Sequence, residues 1–281
     1  MTYKLYNYDP SGAAAVPFAA LFGLATAIHV ARMIRARSWF MIPFTIGCVF
    51  ETIGYVCRYI NSTQTPDWTL MPYVGQSLLI LLAPALFAAS VYMILGRLIV
   101  GLNASSNSII RPSWLTKNFV IGDVISFFMQ CGGGGFLSSA KTKEDLDMGE
   151  NLILAGLIVQ IFFFGFFIIV SVIFHRRMLA SPMNYVADAG IPWARRMKVL
   201  YAVSCLVMIR SVYRVIEYAQ GSGGYLQSRE AFVYVFDAAL MLGCCIILAI
   251  LHPSKMLSEK RYQKAEDLEM LASHYEAGRK T

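Results

Sequence analysis

Between Leu152 and Phe174 the chain carries no charged residue and a single amide, Gln160. A helix rises about 1.5 Å per residue, so a run of this length reaches across a hydrocarbon core about 30 Å thick. Within lipid every backbone N–H and C=O must be satisfied by the chain itself, which leaves an α-helix as the conformation for such a run. Seven runs of comparable length follow one another: residues 13–34, 39–60, 71–100, 117–139, 151–174, 196–219 and 231–251. Only 15% of the residues are charged, against about 25% in soluble domains, and 57% are hydrophobic, more than a water-soluble core of this size can hide. The expected fold is all-α: a polytopic membrane protein built as a seven-transmembrane-helix bundle with short connections, in which Pro84 predicts a kink in the third helix.

Orientation follows from the basic residues. Of the 24 Lys and Arg residues, seventeen fall on one side, including Arg32, Arg35, Arg37, Arg97, Arg176, Arg177, Arg195 and Lys255. Only Lys4, Lys141, Lys143 and Arg229 fall on the other, where Asp67, Glu144, Asp145, Asp147 and Glu150 also lie. This predicts an N-terminus outside and a C-terminus in the cytosol. The expected division is an extracellular N-terminal tail over residues 1–12, a transmembrane domain over 13–251 and a cytosolic basic tail over 252–281. In that tail Ala265, Leu268, Ala272 and Tyr275 recur at amphipathic spacing. The polar start lacks the basic n-region and cleavage site of a signal peptide, so the first run reads as an uncleaved anchor. The net charge of +7 is then a topology signature; no basic, aromatic-interleaved soluble domain points to nucleic acid. The six cysteines all sit in apolar runs and show neither a disulfide framework nor zinc spacing, and no cofactor or metal is expected. Asn61-Ser62-Thr63 matches a glycosylation sequon close to the membrane.

Seven ionisable residues interrupt the apolar runs: Glu51, Arg58, Asp123, Arg210, Arg214, Glu217 and Asp237. Each costs about 2.5–3.5 kcal/mol at a helix centre in the bilayer, so they must face the bundle interior, pair, or line water. Glu51, Tyr55 and Arg58 share one helix face; Arg210, Tyr213, Arg214 and Glu217 form a second stripe; Asp123 and Gln130 share a third. By depth all but Asp123 gather in the outer half. Two readings compete. The charges either form ion pairs that merely fix helix packing, or they wall a polar pocket for an amphipathic ligand, with carboxylates for an ammonium and arginines for phosphate or carboxylate. The run Gly132–Gly135 predicts close helix approach or local unwinding within the fourth span. His29 reads as a hydrogen-bonded structural residue.

These same residues carry a resemblance. The segments Glu51-Thr-Ile-Gly54-Tyr55-Val-Cys-Arg58, Gln76 with Leu82-Ala-Pro84-Ala85, Gly122-Asp123, Gln130 with the glycine run, Gly156 to Gln160, Arg210-Ser-Val-Tyr-Arg214-Val-Ile-Glu217-Tyr, Glu230 to Asp237 and His252-Pro253 resemble, in order, those of the fungal RTA-like proteins, the lipid-translocating exporter family named for resistance to aminocholesterol. The resemblance implies a fungal seven-helix protein of the plasma or another cellular membrane. It further implies export or flipping of sphingoid long-chain bases, resistance to amphipathic toxicants or, in one branch, porphyrin traffic. It adds Gln76 to the candidate ligand-binding set of Glu51, Tyr55, Arg58, Asp123, Gln130, Arg210, Tyr213, Arg214, Glu217 and Asp237.

The function expected from residues and resemblance together is translocation or export of an amphipathic, sphingoid-base-like lipid, the partners being membrane lipids and that amphiphile. No Gly-x-x-x-x-Gly-Lys-Ser/Thr sequence is present, so ATP hydrolysis by that route is excluded. A lipid-sensing receptor fits the topology but finds no Asp-Arg-Tyr after the third span and no Asn-Pro-x-x-Tyr in the seventh. A zinc-dependent lipid-modifying enzyme finds only four scattered histidines, so an enzyme is not expected.

Overall fold

A computed structural model describes residues 8–65, 68–102, 104–139, 142–180, 193–221 and 224–251. It is all-helical over these residues and contains seven helices long and apolar enough to cross a membrane. They are α1 (Gly12–Ala36), α2 (Trp39–Thr63, opening on a 3-10 turn), α3 (Leu70–Gly101), α4 (Pro112–Ser139), α5 (Lys143–Ala180), α6 (Trp193–Ala219) and α7 (Glu230–Ile250). The chain is a multi-pass membrane protein. The predicted runs fall within these helices to within one residue, but α4 begins five residues earlier at Pro112 and α5 is longer at both ends, running to Ala180 and taking in Glu144, Asp145, Asp147 and Glu150, which the charge pattern places in a loop. Thr142 and Asp145 account for the early start of α5. The Asp145 N–H donates to Thr142 Oγ1 and the Thr142 N–H to Asp145 Oδ2, each at 3.1 Å, a reciprocal capping box. The acidic first turn also suits the positive end of the helix dipole. The proposed amphipathic helix of the tail lies outside the described residues.

The most enclosed helix is α3, buried on several faces from Ile80 to Val100 and in contact with α2, α4, α5 and α6. Around it α2 packs on α3, α4 on α5, and α1 closes against α2 and α7. The core is aromatic. Phe44 stacks on Phe87 at 4.2 Å, and Tyr92 meets Phe167 at 4.6 Å and Phe119 at 5.3 Å. His29 bonds the Cys245 carbonyl at 3.1 Å and meets the Phe44 ring, tying α1 to α7 and α2. The glycine run stays helical within α4. At Gly133 a Cβ would lie 2.6 Å from the Gly149 carbonyl oxygen, so here the backbones of α4 and α5 meet with no room for a side chain. Asn61 is fully buried on the last turn of α2.

Candidate functional site

The intramembrane charges converge at the end of the bundle where α2 and α6 finish and α1, α3 and α7 begin. Arg210 and Asp237 are both wholly buried and paired at 2.6 Å through Nε and Oδ1. Arg210 Nη2 donates to the Ile80 carbonyl at 2.8 Å. That acceptor is available because Pro84, one turn on, has no N–H to give it. Asp237 also accepts from Arg214 Nη2, and Arg214 Nη1 donates to Glu217 at 2.8 Å. Asp237 reaches both arginines from a π turn over Tyr234–Ala238 within α7. The extra residue in such a turn redirects side chains, and π turns recur at functional sites.

A second centre forms around Arg58. Its Nη2 donates to Glu230 at 2.8 Å and to the Tyr8 hydroxyl at 2.7 Å, and its Nε to the Tyr234 hydroxyl at 3.1 Å. The guanidinium also sits over the Tyr8 and Tyr234 rings, the stacking that a planar cation favours. Glu230 holds the start of α1 as well, both its oxygens accepting from the Ser11 N–H at 3.0 Å. Thus α1, α2 and α7 are locked together by one carboxylate and one arginine. Between the two centres lie Glu51 and Tyr55, each fully buried. Glu51 lies near Asp237, Arg210 and Arg214, yet neither its carboxyl oxygens nor the Tyr55 hydroxyl meets a hydrogen-bond partner among the described residues. Nη1 of Arg210 and Nε of Arg214 are likewise unpartnered. Buried polar groups are rarely left so.

The two centres wall one polar cavity of about 110 Å³. Of the sequence-derived candidates, Arg58, Gln76, Arg214 and Glu217 line it. Arg210, Asp237, Glu51 and Tyr55 form the layer behind them. Tyr213 stands beside Arg214, its ring stacked on Phe236 at 5.5 Å. Asp123 and Gln130 are not part of this assembly. Gln130 bonds Ser126 and Gln160, and Ser126 the Gly156 carbonyl, in a polar seam between α4 and α5. Asp123 is buried opposite the Tyr92 phenol. Both kinds of arrangement occur side by side, charges paired within the bundle and charges beside an open space. Arg210–Asp237 is a wholly buried pair tying α6 to α7, while Arg58, Arg214 and Glu217 present polar atoms to an open space.

The structure adds lining residues that the sequence did not single out: Tyr8, Tyr73, Ser77, Tyr218 and Gln227. It also adds Glu230, the partner of Arg58. Glu230 stands at the edge of the last run and Tyr8 in the polar start. Tyr73 and Tyr218 look like ordinary interfacial aromatics, so only their tertiary placement distinguishes them. Among the described residues no group of three His, Cys, Asp or Glu side chains is placed to hold a metal ion. What the cavity offers is paired cation and anion side chains, amides and phenols.

The chain is 36% identical to Protoporphyrin uptake protein 1 of Saccharomyces cerevisiae, covering 88% of this chain and 91% of that protein. It is 28% identical to the Probable lipid transporter atnI of Emericella nidulans, over 90% of this chain and 68% of the relative. It is 23% identical to the Sphingoid long-chain base transporter RSB1 of Saccharomyces cerevisiae, over 83% and 69% respectively. No solved structure matches the chain. The family described as RTA1 like protein matches residues 44–260, a span that takes in every charged residue of the cavity and leaves out Tyr8. The chain belongs to the RTA1-like family of fungal membrane proteins, whose relatives include proteins named for lipid transport.

Proposed function

We propose that this protein translocates an amphipathic lipid, of the sphingoid long-chain-base kind, by receiving its head group in the charged cavity while its hydrocarbon stays in an apolar environment. The observation that carries the proposal is the cavity wall of Arg58, Arg214, Glu217 and Gln76, set within a bundle whose other surfaces are apolar. Three arginines (Arg58, Arg210 and Arg214) face four carboxylates (Glu51, Glu217, Glu230 and Asp237), and Glu51 lacks an arginine of its own. An amino head group adds a cation to this set through Glu217 at the wall, with Glu51 in the layer behind, and its hydroxyls meet the amides and phenols of the wall. With the basic residues of the connections on the cytosolic side, the cavity opens toward the outer half of the membrane, in keeping with export. The plasma membrane is the natural setting for that direction. Movement is downhill or ion-coupled, since the chain has no phosphate-binding loop for ATP.

Purified protein reconstituted in phosphatidylcholine vesicles tests this. An isotopically labelled sphingoid base moves between leaflets with the wild-type protein, and Arg214→Ala and Glu51→Gln each abolish that movement. Wild-type rates in both variants would remove the cavity from the mechanism. Tight binding of the base without movement would instead favour a lipid-sensing role for the same cavity.

A further inference from the structure

Beside the polar cavity lies a second space of about 50 Å³ with apolar walls. Leu70, Val74, Leu78 and Leu81 of α3 form one wall, Gly134 and Leu137 of α4 another, and Ile153 of α5 the floor. The two spaces adjoin across Tyr73, Ser77 and Tyr218, which line both. Helical spacing explains the division. On α3, Tyr73, Gln76 and Ser77 form an edge toward the charges, and the leucines displaced around the helix form an edge toward α4 and α5. Leu81 and Ile153 pack with Leu157 in a cluster separate from the main aromatic core, with Leu137 and Tyr218 against it. The crevice thus has its own mainly apolar lining and adjoins the head-group cavity at two phenols and a hydroxyl that line both.

Gly134 holds this space open. A Cβ there would stand 3.0 Å from Leu78 Cδ2, the far end of a flexible side chain, so a larger side chain at this position projects into the crevice. Its neighbour Gly133 has a different task, the backbone contact with α5.

We propose that the crevice between α3, α4 and α5 is a tail subsite that takes one hydrocarbon chain of the amphiphile whose head occupies the charged cavity, with Gly134 as the residue that sets its width. The inference rests on the proposed head-group site and deepens it. The ligand enters as a single-chain amphiphile bent at the threshold of Tyr73, Ser77 and Tyr218. Since lipid is as apolar as the crevice, the subsite acts through close packing matched in shape rather than through removal of the chain from water.

The test is equilibrium binding of a tritiated eighteen-carbon sphingoid base, and of an eight-carbon amino alcohol too short to pass the threshold, to detergent-solubilised full-length protein. Gly134→Leu is expected to weaken binding of the long base at least about tenfold, the discrimination by size that hydrophobic pockets achieve, while leaving the short analogue unchanged. Leu78→Ala, which widens the crevice, is expected to raise affinity for a methyl-branched long-chain base relative to the straight one. Leu78→Ala carries the test alone if Gly134→Leu does not fold. Long-base affinity within twofold of wild type in Gly134→Leu, or an unchanged branched-to-straight preference in Leu78→Ala, overturns the tail subsite. If wild type binds neither probe, or binds both equally well after Arg214→Ala, the head-group reading itself has failed. That pattern is distinct from losing only the dependence on Gly134 and Leu78.

Discussion

At the scale of single residues, the site depends on how buried charges are matched. Asp237 accepts from two arginines while fully enclosed. Asp237→Asn leaves Arg210 and Arg214 without their shared anion. Breaking a buried pair from one side costs about 3–5 kcal/mol, so the variant's thermal unfolding in detergent falls well below that of wild type. The paired change Arg210→Met with Asp237→Leu removes both charges and recovers much of that loss. Pro84 makes a subtler contribution. Pro84→Ala returns an N–H that competes for the Ile80 carbonyl, and Arg210 Nη2 then loses a charge-assisted bond worth about 1.5–3 kcal/mol. We expect the fold to persist by circular dichroism while transport drops. Unchanged transport would show that Arg210 is held by Asp237 alone. These charges were legible in the sequence because an ionisable residue inside an apolar run is conspicuous. Glu230 and Tyr8 were not, because at the polar edge of a span a charge or phenol is ordinary, and only the fold shows that both turn inward to Arg58.

At the scale of elements, the sequence revealed seven helices and their approximate limits, since length and hydropathy decide both. It could not show that α5 starts at Lys143, because the acidic turn there reads as solvent side; the Thr142–Asp145 capping box overrides that reading. Nor could hydropathy divide the labour within the glycine run. Gly133 faces the α5 backbone, Gly134 the crevice, and a Cβ at Gly135 meets nothing within 4 Å. Gly133→Ala must therefore push α4 and α5 apart and destabilise by about 1–3 kcal/mol. Gly135→Ala is neutral or stabilises by up to about 1 kcal/mol, from helix propensity alone. Denaturation of the two variants side by side checks this contrast. Equal melting temperatures would mean that the α4–α5 seam is not as tight as described. The seam of Gln130, Ser126 and Gln160 explains why Gln130, though it sits seven residues from Asp123 and shares its face, does not reach the cavity: its bonds are made within the α4–α5 pair.

At the scale of the whole molecule, the apolar bundle makes an expensive concentration of charge tolerable by closing it inside seven helices, with the polar cavity and the apolar crevice side by side. Orientation belongs to this scale too. The distribution of Lys and Arg leads us to expect an epitope fused after Thr281 to be reached by antibody only once the cells are permeabilised; labelling of intact cells would invert the direction of export. The central claim is that the space between Arg58 and Arg214 receives the head of an amphiphile. A cryo-EM reconstruction with a saturating eighteen-carbon sphingoid base tests it most directly. We predict density within hydrogen-bonding distance of Glu217 and Gln76, continuing past Tyr73 toward Gly134. Ligand density confined to the lipid-facing surface, with the cavity between the arginines unfilled, would contradict it.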